Sequence, residues 1–396
     1  MEYVFSDRIS SLAPSAIREI LKFTADPEVI AFAAGNPSAE AFPTEAVAKI
    51  AGQILAENPI SALQYSISEG YTPLRDALKS WMKTDYNIGT EGDDLIVTSG
   101  AQQAIELTCK VLCNEGDTVL CEDPSFIGSL NAFRSYHVQL KGVPVEADGI
   151  SIQRLEDALK REKNVRFLYL IPNFQNPSGI TMSLAKRQEV YRLACKYNVI
   201  ILEDNPYGDL RYTGEDIPTI KSMDEEGRVI YAGSFSKILS PGMRVGYVVA
   251  PKPVIGKLTV AKQVSDVHTT ILSQLICHRF LTEYDIHAHI AGLRTLYRGK
   301  LDLMLSELDR GFGGKVKYTR PEGGLFLWAT LPEGVDMMQF CRDAVARKVA
   351  VVPGTAFLAD ESGSSQSFRM NYSTPSDDNI VKGVRILSEL IAETIH

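Results

Sequence analysis

A lysine, Lys237, sits in the run Ala232-Gly-Ser-Phe-Ser-Lys-Ile-Leu-Ser-Pro-Gly-Met-Arg-Val-Gly-Tyr247, among small and hydroxyl-bearing residues, with Arg244 seven positions further on. A lysine amine freed of its proton is a nucleophile that forms a Schiff base with a carbonyl. Ser234, Ser236 and Arg244 are groups suited to a phosphate, since hydroxyls donate singly and a guanidinium donates as a planar fork. A solvated surface lysine is the ordinary alternative. The small residues and the apolar runs on either side, Val229–Ala232 and Val245–Val249, weaken it.

Further chemistry-bearing residues follow other short apolar runs. They are Ser99-Gly-Ala-Gln-Gln103, Glu122-Asp-Pro-Ser-Phe126, Pro172-Asn-Phe-Gln-Asn-Pro-Ser178 and Glu203-Asp-Asn-Pro-Tyr207. The first turns directly into a helix, so the free N–H groups at Ala101 and Gln102 can receive an anion. Taken alone, the segment reads first as a plain strand-to-helix turn. Asp204 ends an otherwise apolar strand, and a buried carboxylate needs a partner. A protonated pyridine nitrogen would serve, and so would a helix cap or a loop salt bridge. Phe126 can stack on a flat ring or pack in a core. Asn173, Asn176 and Tyr207 read as turn residues or as donors to a phenolic oxygen.

These segments converge only if the elements that carry them run the same way. The pattern alternates: strands at 95–98, 118–121, 165–171, 199–202, 229–232 and 245–249, with helices at 101–112, 125–133, 152–162 and 184–197 between them. Continuous apolar strands separated by amphipathic helices predict a buried, mostly parallel sheet of seven-stranded type, with room for one antiparallel strand. Ligands of such sheets bind beyond the carboxyl ends of the strands. The fold class is therefore α/β, with a large domain over 51–285. A smaller α+β domain is expected from 1–50 and 286–396, beginning with a long helix near Tyr284–Asp309. Before the sheet, the sequence predicts a turn and a short helix, Ser15–Lys22, a Gly35-Asn-Pro turn, a helix over 44–57, a loop carrying Tyr65, and a helix opened by Thr72-Pro73.

The 396 residues are 45% hydrophobic and 23% charged, as in a globular protein of one large or two ordinary domains. A net charge of −8 argues against a nucleic-acid partner. The six cysteines lack zinc-ligand spacing, so no metal site is expected, and free thiols in a reducing cytoplasm are. Neither a signal peptide nor an apolar run of membrane-spanning length is evident. Gly-x-Gly-x-x-Gly, P-loop and His-Glu-x-x-His motifs are absent. Ser234-Phe-Ser-Lys237 also fits the Ser-x-x-Lys of serine β-lactamases, but the companion Ser-Asp-Asn and Lys-Thr-Gly are missing.

Taken together, 99–103, 172–179, 203–207, Ser-Phe-Ser-Lys with Arg244, and Phe-Arg-Met-Asn at 368–371 resemble, in order, the fold-type I pyridoxal-phosphate enzymes of the class I/II aminotransferases. The likeness runs along essentially the whole chain. Ile-Arg-Glu-Ile and Gly-Asn-Pro near the start are most similar to the 2-aminoadipate, kynurenine and aromatic aminotransferases. The resemblance implies pyridoxal 5'-phosphate as cofactor and an amino acid and a 2-oxo acid as substrates, with 2-oxoglutarate as the expected acceptor. It implies that Lys237 carries the cofactor as a Schiff base and moves the proton, and that Asp204 pairs with the pyridine nitrogen. Asn176 and Tyr207 would bond the phenolic oxygen, and Phe126, where many relatives have Tyr, would stack on the ring. Ala101, Gln102, Ser234, Ser236 and Arg244 would hold the phosphate. Tyr65 would reach the phosphate of a neighbouring subunit in a homodimer with shared sites. Arg369, with Asn176 and the backbone of Gly35, would bind the substrate carboxylate.

A lyase or decarboxylase would use the same cofactor residues, because the reaction depends on which bond at the α-carbon stands perpendicular to the ring. A ligand-sensing regulator is the reading from another class. It is disfavoured by the lack of a basic extension ahead of the first helix. For the substrate side chain the one candidate is Arg18, which would pair with a distal carboxylate or simply face solvent.

Overall fold

The computed structural model describes residues 3–10, 12 and 26–395. The expected Ser15–Lys22 helix and Arg18 lie outside them. Within the first residues a single helical turn, Asp7–Ser10, stands where only a turn was expected.

The central sheet runs in the order 93–98, 246–251, 229–234, 200–204, 165–170, 118–123, 139–146, 149–150. Six of its strands are mutually parallel. Gly246–Pro251 runs against both of its neighbours, as the allowance for one reversed strand anticipated, and two-residue Gly149–Ile150 pairs antiparallel at the far edge. The inner strands are buried along their length: every residue of Val229–Ser234 is buried, as are residues 201–204 of the strand Ile200–Asp204. Helices on both faces force this pattern, since neither side of a covered sheet meets water. Each fully buried branched side chain contributes about 1.5–3 kcal/mol.

Helices Thr72–Tyr86, Ala101–Leu112, Ile152–Arg161 and Leu184–Tyr197 lie close to their expected places. Ser183 starts the last of these by accepting the Lys186 N–H on its hydroxyl, which satisfies one of the donors a helix leaves free at its start. Strand Gln139–Glu146 and helices Lys252–Gln263 and Ile271–Glu283 were not expected.

The 26-residue helix Ile286–Gly311 leads to a second, antiparallel sheet ordered 317–318, 326–330, 367–371, 352–353. The C-terminal helix Asp377–Thr394 packs along that long helix. The N-terminal segment joins this body, with Ile30–Ala31 pairing parallel to Val349–Ala350. Among the described residues no helix is long and apolar enough to cross a membrane.

Candidate active site

Strands ending at Thr98, Asp123, Leu170, Asp204 and Ser234 all finish at one edge of the central sheet. The reversed strand begins there, at Gly246, so its preceding turn delivers Arg244 to the same edge. A cavity of about 480 Å³ opens at this point. It is lined by Gly35, Ala101, Gln102, Phe126, Asn176, Asp204, Tyr207, Ser234, Ser236, Lys237, Arg244 and Arg369. Tyr65 is not in the lining. It is 81% exposed, edge-on to His268 at 5.8 Å. Asn173 is turned away as well. Its amide donates to Asn205 Oδ1 at 2.9 Å and its carbonyl accepts from Arg187, so the role of donor to a phenolic oxygen is corrected for this residue.

Lys237 leaves the end of Val229–Ser234 half-buried and donates to the carbonyl of Gly35 at 2.9 Å. Burial, and then the charges of Arg369 and Arg244, bring its pKa down to about 8. An amine so placed is partly neutral near pH 7, the form that can attack a carbonyl.

Asp204 is 2% exposed. Its Oδ2 accepts from the Tyr169 hydroxyl at 2.7 Å, and that hydroxyl accepts from Ser129 Oγ at 2.7 Å. The other oxygen, Oδ1, is buried with no partner. Burial raises the Asp204 pKa to about 7, with the Tyr169 bond working against the rise. A bare buried carboxylate oxygen facing a cavity is a place for a cationic N–H.

Tyr207 is buried, and burial pushes its phenol above the usual range. Ser234 and Ser236 bond each other through their hydroxyls at 2.9 Å. Arg244 reaches across to donate to the carbonyls of Ser99 at 3.1 Å and Pro241 at 3.4 Å. Gly100, at φ 80°, lets the turn pass beneath the guanidinium, and a Cβ there would collide with Arg244. Gly246 is equally constrained: its Cβ would stand 2.7 Å from the Ala101 nitrogen. Two hydroxyls, a guanidinium and a helix start thus converge on one end of the cavity. Gln102 instead spends its amide on the Gly128 carbonyl at 2.8 Å. Phe126, half-buried, presses its ring against Gly128.

At the opposite side Arg369 is buried. It donates to Asn176 Oδ1 at 2.8 Å and to the Ala33 carbonyl at 2.9 Å, and its Nε has no partner. Its guanidinium carbon lies 4.2 Å from the centre of the Phe326 ring and 5.0 Å from that of Phe357. Burial lowers its pKa to about 10, which leaves it charged at neutral pH.

Sequence reasoning missed Tyr169, Ala33, Phe326 and Phe357. Tyr169 becomes legible only once the strands are paired. It pairs in register with Leu202, two residues before Asp204, and alternate residues of a strand share a face. Phe326 likewise lies two residues from Trp328, which pairs with Arg369.

A carboxylate oxygen awaiting a cation, an amine of lowered pKa and an anion cradle fit a phosphorylated pyridine aldehyde. Residues 27–387 match the family described as aminotransferase class I and II. The chain belongs to this family, and its cofactor is pyridoxal 5'-phosphate. It is an enzyme that transfers an amino group between an amino acid and a 2-oxo acid.

Among curated relatives it is 41% identical to aromatic-amino-acid aminotransferase 1 of Thermococcus litoralis, over 99% of this chain and 95% of that one. It is 39% identical to 2-aminoadipate transaminase of Thermus thermophilus, over 98% and 96%. Its structure is similar to that of Pyrococcus horikoshii kynurenine aminotransferase in complex with PMP, with a TM-score of 0.96 and 38% identity over 99% and 98% of the chains. The lyase or decarboxylase alternative is not favoured by these relatives.

Proposed function

We propose that this chain is a homodimeric, cytoplasmic aminotransferase that exchanges its two substrates in turn, by a ping-pong scheme, with 2-oxoglutarate and glutamate as one pair. Residues 51–285 would form the cofactor-holding body, and 1–50 with 286–396 the second, smaller one; separate sheets in the two support that division.

The observation that carries the site assignment is the buried, unpartnered Oδ1 of Asp204, in the same cavity as the Lys237 amine. In this reading Asp204 holds the ring nitrogen protonated. Asn176 and Tyr207 hold the phenolic oxygen, and Phe126 covers the ring. Ser234, Ser236, Arg244 and the N–H groups of Ala101 and Gln102 take the phosphate. The bound cofactor supplies an electron sink for the pair released when a bond at the substrate α-carbon breaks. Lys237 Nζ is the amine that would hold the cofactor at its aldehyde carbon, and as a neutral amine it would take the substrate α-proton. A base so positioned contributes about 10²–10⁴-fold. Arg369 and Asn176, with the Gly35 backbone, orient the substrate carboxylate, and Arg369 meets it as a planar fork.

The cations of the described lining, Lys237, Arg244 and Arg369, are all used by these roles. The rest of the wall includes Ala33, Ala34, Ile105, Ile127 and Phe326. This supports donors with apolar or aromatic side chains, as in the relative whose name specifies aromatic amino acids. Arg18 is the candidate for a distal carboxylate, as in the 2-aminoadipate relative.

The dimer is supported by an exposed apolar group around Tyr65, comprising Leu55, Ile60, Leu63 and Ile67, which a second copy would cover. All six cysteines are free, as a reducing compartment would keep them.

Borohydride reduction of the holoenzyme followed by peptide mapping tests the core of this reading. The cofactor label is expected on Lys237, and a label on any other lysine refutes the assignment. A panel of amino donors against 2-oxoglutarate then ranks the side chains.

A further inference from the structure

The segment that follows the reversed strand contains a lysine with no exposure at all, Lys262, near the end of helix Lys252–Gln263. Its Nζ donates to Gln103 Oε1 at 2.7 Å, to both oxygens of Asp266 at 2.9 and 3.0 Å, and to Thr269 Oγ1 at 3.0 Å. A buried ammonium costs several kcal/mol to desolvate, and an ion pair often returns no more than that cost. A methionine would fill the same space without the expense in desolvation.

The acceptors of Lys262 all lead to one residue. Gln103 Oε1 also accepts the Ser99 N–H at 2.8 Å. Asp266 Oδ2 also accepts the Ser99 hydroxyl at 2.6 Å, and Thr269 Oγ1 lies 3.2 Å from that hydroxyl. The third polar group of Ser99, its carbonyl, accepts from Arg244 Nη2 at 3.1 Å. Every hydrogen-bonding group of Ser99 is therefore held, two of them by partners that Lys262 binds. Ser99 is the last residue before Gly100, where the chain turns into the helix whose first residues, Ala101 and Gln102, line the cavity.

We infer that Lys262 and Asp266 are positioning residues for the phosphate end of the cofactor site, acting through Ser99 on the Gly100–Ala101 turn and on the guanidinium of Arg244. The inference rests on the cofactor site proposed above. Neither residue touches the cavity. Their effect is to fix where the cradle's donors point before the phosphate arrives, so that ordering them is not charged against binding.

The test compares pyridoxal 5'-phosphate with pyridoxal, which lacks the phosphate, as ligands of the apoenzyme. Dissociation constants are read from the visible absorbance of the bound aldehyde. Three variants are measured: Ser99→Ala, Lys262→Met, and Lys262→Met combined with Asp266→Asn, which removes the pair without changing net charge. Each is expected to weaken pyridoxal phosphate by roughly tenfold or more, the scale of a lost hydrogen bond to a charged group. Pyridoxal binding should stay within about twofold of the wild type on the same reasoning.

Equal weakening of both ligands would show a merely structural ion pair and overturn the inference. So would unchanged pyridoxal phosphate affinity in Ser99→Ala, a variant that leaves Lys262 and Asp266 paired and decides the matter if the lysine variants fail to fold. A wild type that binds the two ligands equally would instead overturn the cofactor site itself, and the inference with it.

Discussion

Asp204→Asn keeps the shape of the side chain and its bond from Tyr169 but removes its charge. Ordinarily this carboxyl ionises near 3.8, and burial raises it to about 7. An interval of about 3 pH units corresponds to about 4 kcal/mol spent on holding a bare carboxylate in this place. In the loaded enzyme the ring N–H on Oδ1 would offset that cost, and asparagine forfeits the charge-assisted interaction. The expected loss in kcat/KM for amino transfer is therefore roughly a thousandfold. The apoenzyme should respond in the opposite sense. Because the folded pKa lies above the unfolded one, the cost is absent below about pH 4, grows as pH rises and is complete above about pH 7. Apo Asp204→Asn should thus melt higher than apo wild type at pH 8, by up to about 4 kcal/mol of stability, with the difference closing towards pH 4. Steady-state kinetics on the holoenzyme and thermal unfolding of the apoenzyme at the two pH values read both arms. Activity within tenfold of the wild type, or a variant less stable at pH 8 than at pH 4 relative to wild type, would refute the reasoning.

Three further outcomes follow from the same geometry. Lys237, brought down to about 8 by burial and two arginines, should capture cofactor at a rate that rises with pH and levels off above about 8; stopped-flow reconstitution of the apoenzyme checks this, and a rate still climbing at pH 10 contradicts it. Arg369→Lys keeps the charge but loses the fork, the bond to Asn176 or to Ala33, and the stacking between Phe326 and Phe357; kcat/KM should fall roughly ten- to a hundredfold through KM, seen with any donor. Gly100→Ala places a Cβ against Arg244 at φ 80° and ψ 168°, a conformation essentially restricted to glycine, with about 1–3 kcal/mol of backbone strain added; cofactor affinity measured by equilibrium dialysis should drop about tenfold or more.

Parallel strands gather their carboxyl ends, so reading the residues after each apolar run was enough to single out Asp204, Tyr207, Ser234 and Lys237, which line one cavity. What escaped was whatever broke the apolar rule. Gln139–Glu146 carries a proline and alternates with lysine and glutamate, since it lies near the sheet's edge with only Val143 buried. Helix Lys252–Gln263 hides a lysine on its inward face, which blurs its amphipathic period. Tyr169 looked like one more bulky residue in a core strand, and its role depends on a register that only strand pairing reveals. Asn173 failed for the opposite reason: it has the right type in the right loop, but Arg187 and Asn205 claim its amide.

The reversed strand has a consequence for how the molecule assembles. Asp93–Thr98 pairs with Gly246–Pro251, segments roughly 150 residues apart, while most of the sheet is built from neighbours in the chain. Closing that pair carries the largest loop-closure entropy in the sheet, because the longest loop must be shut before its contacts can reward it. Ser99 and Arg244 stand on opposite sides of that seam and meet only when it is shut. A ligand held across the seam therefore binds the finished sheet and not its open precursors. By mass action it draws the population towards closure. In a cell the cofactor would act on this chain as a late folding ligand, and shortage of it would show first as fraying at this edge, exposing the strand Asp93–Thr98 to proteases before catalysis is ever attempted.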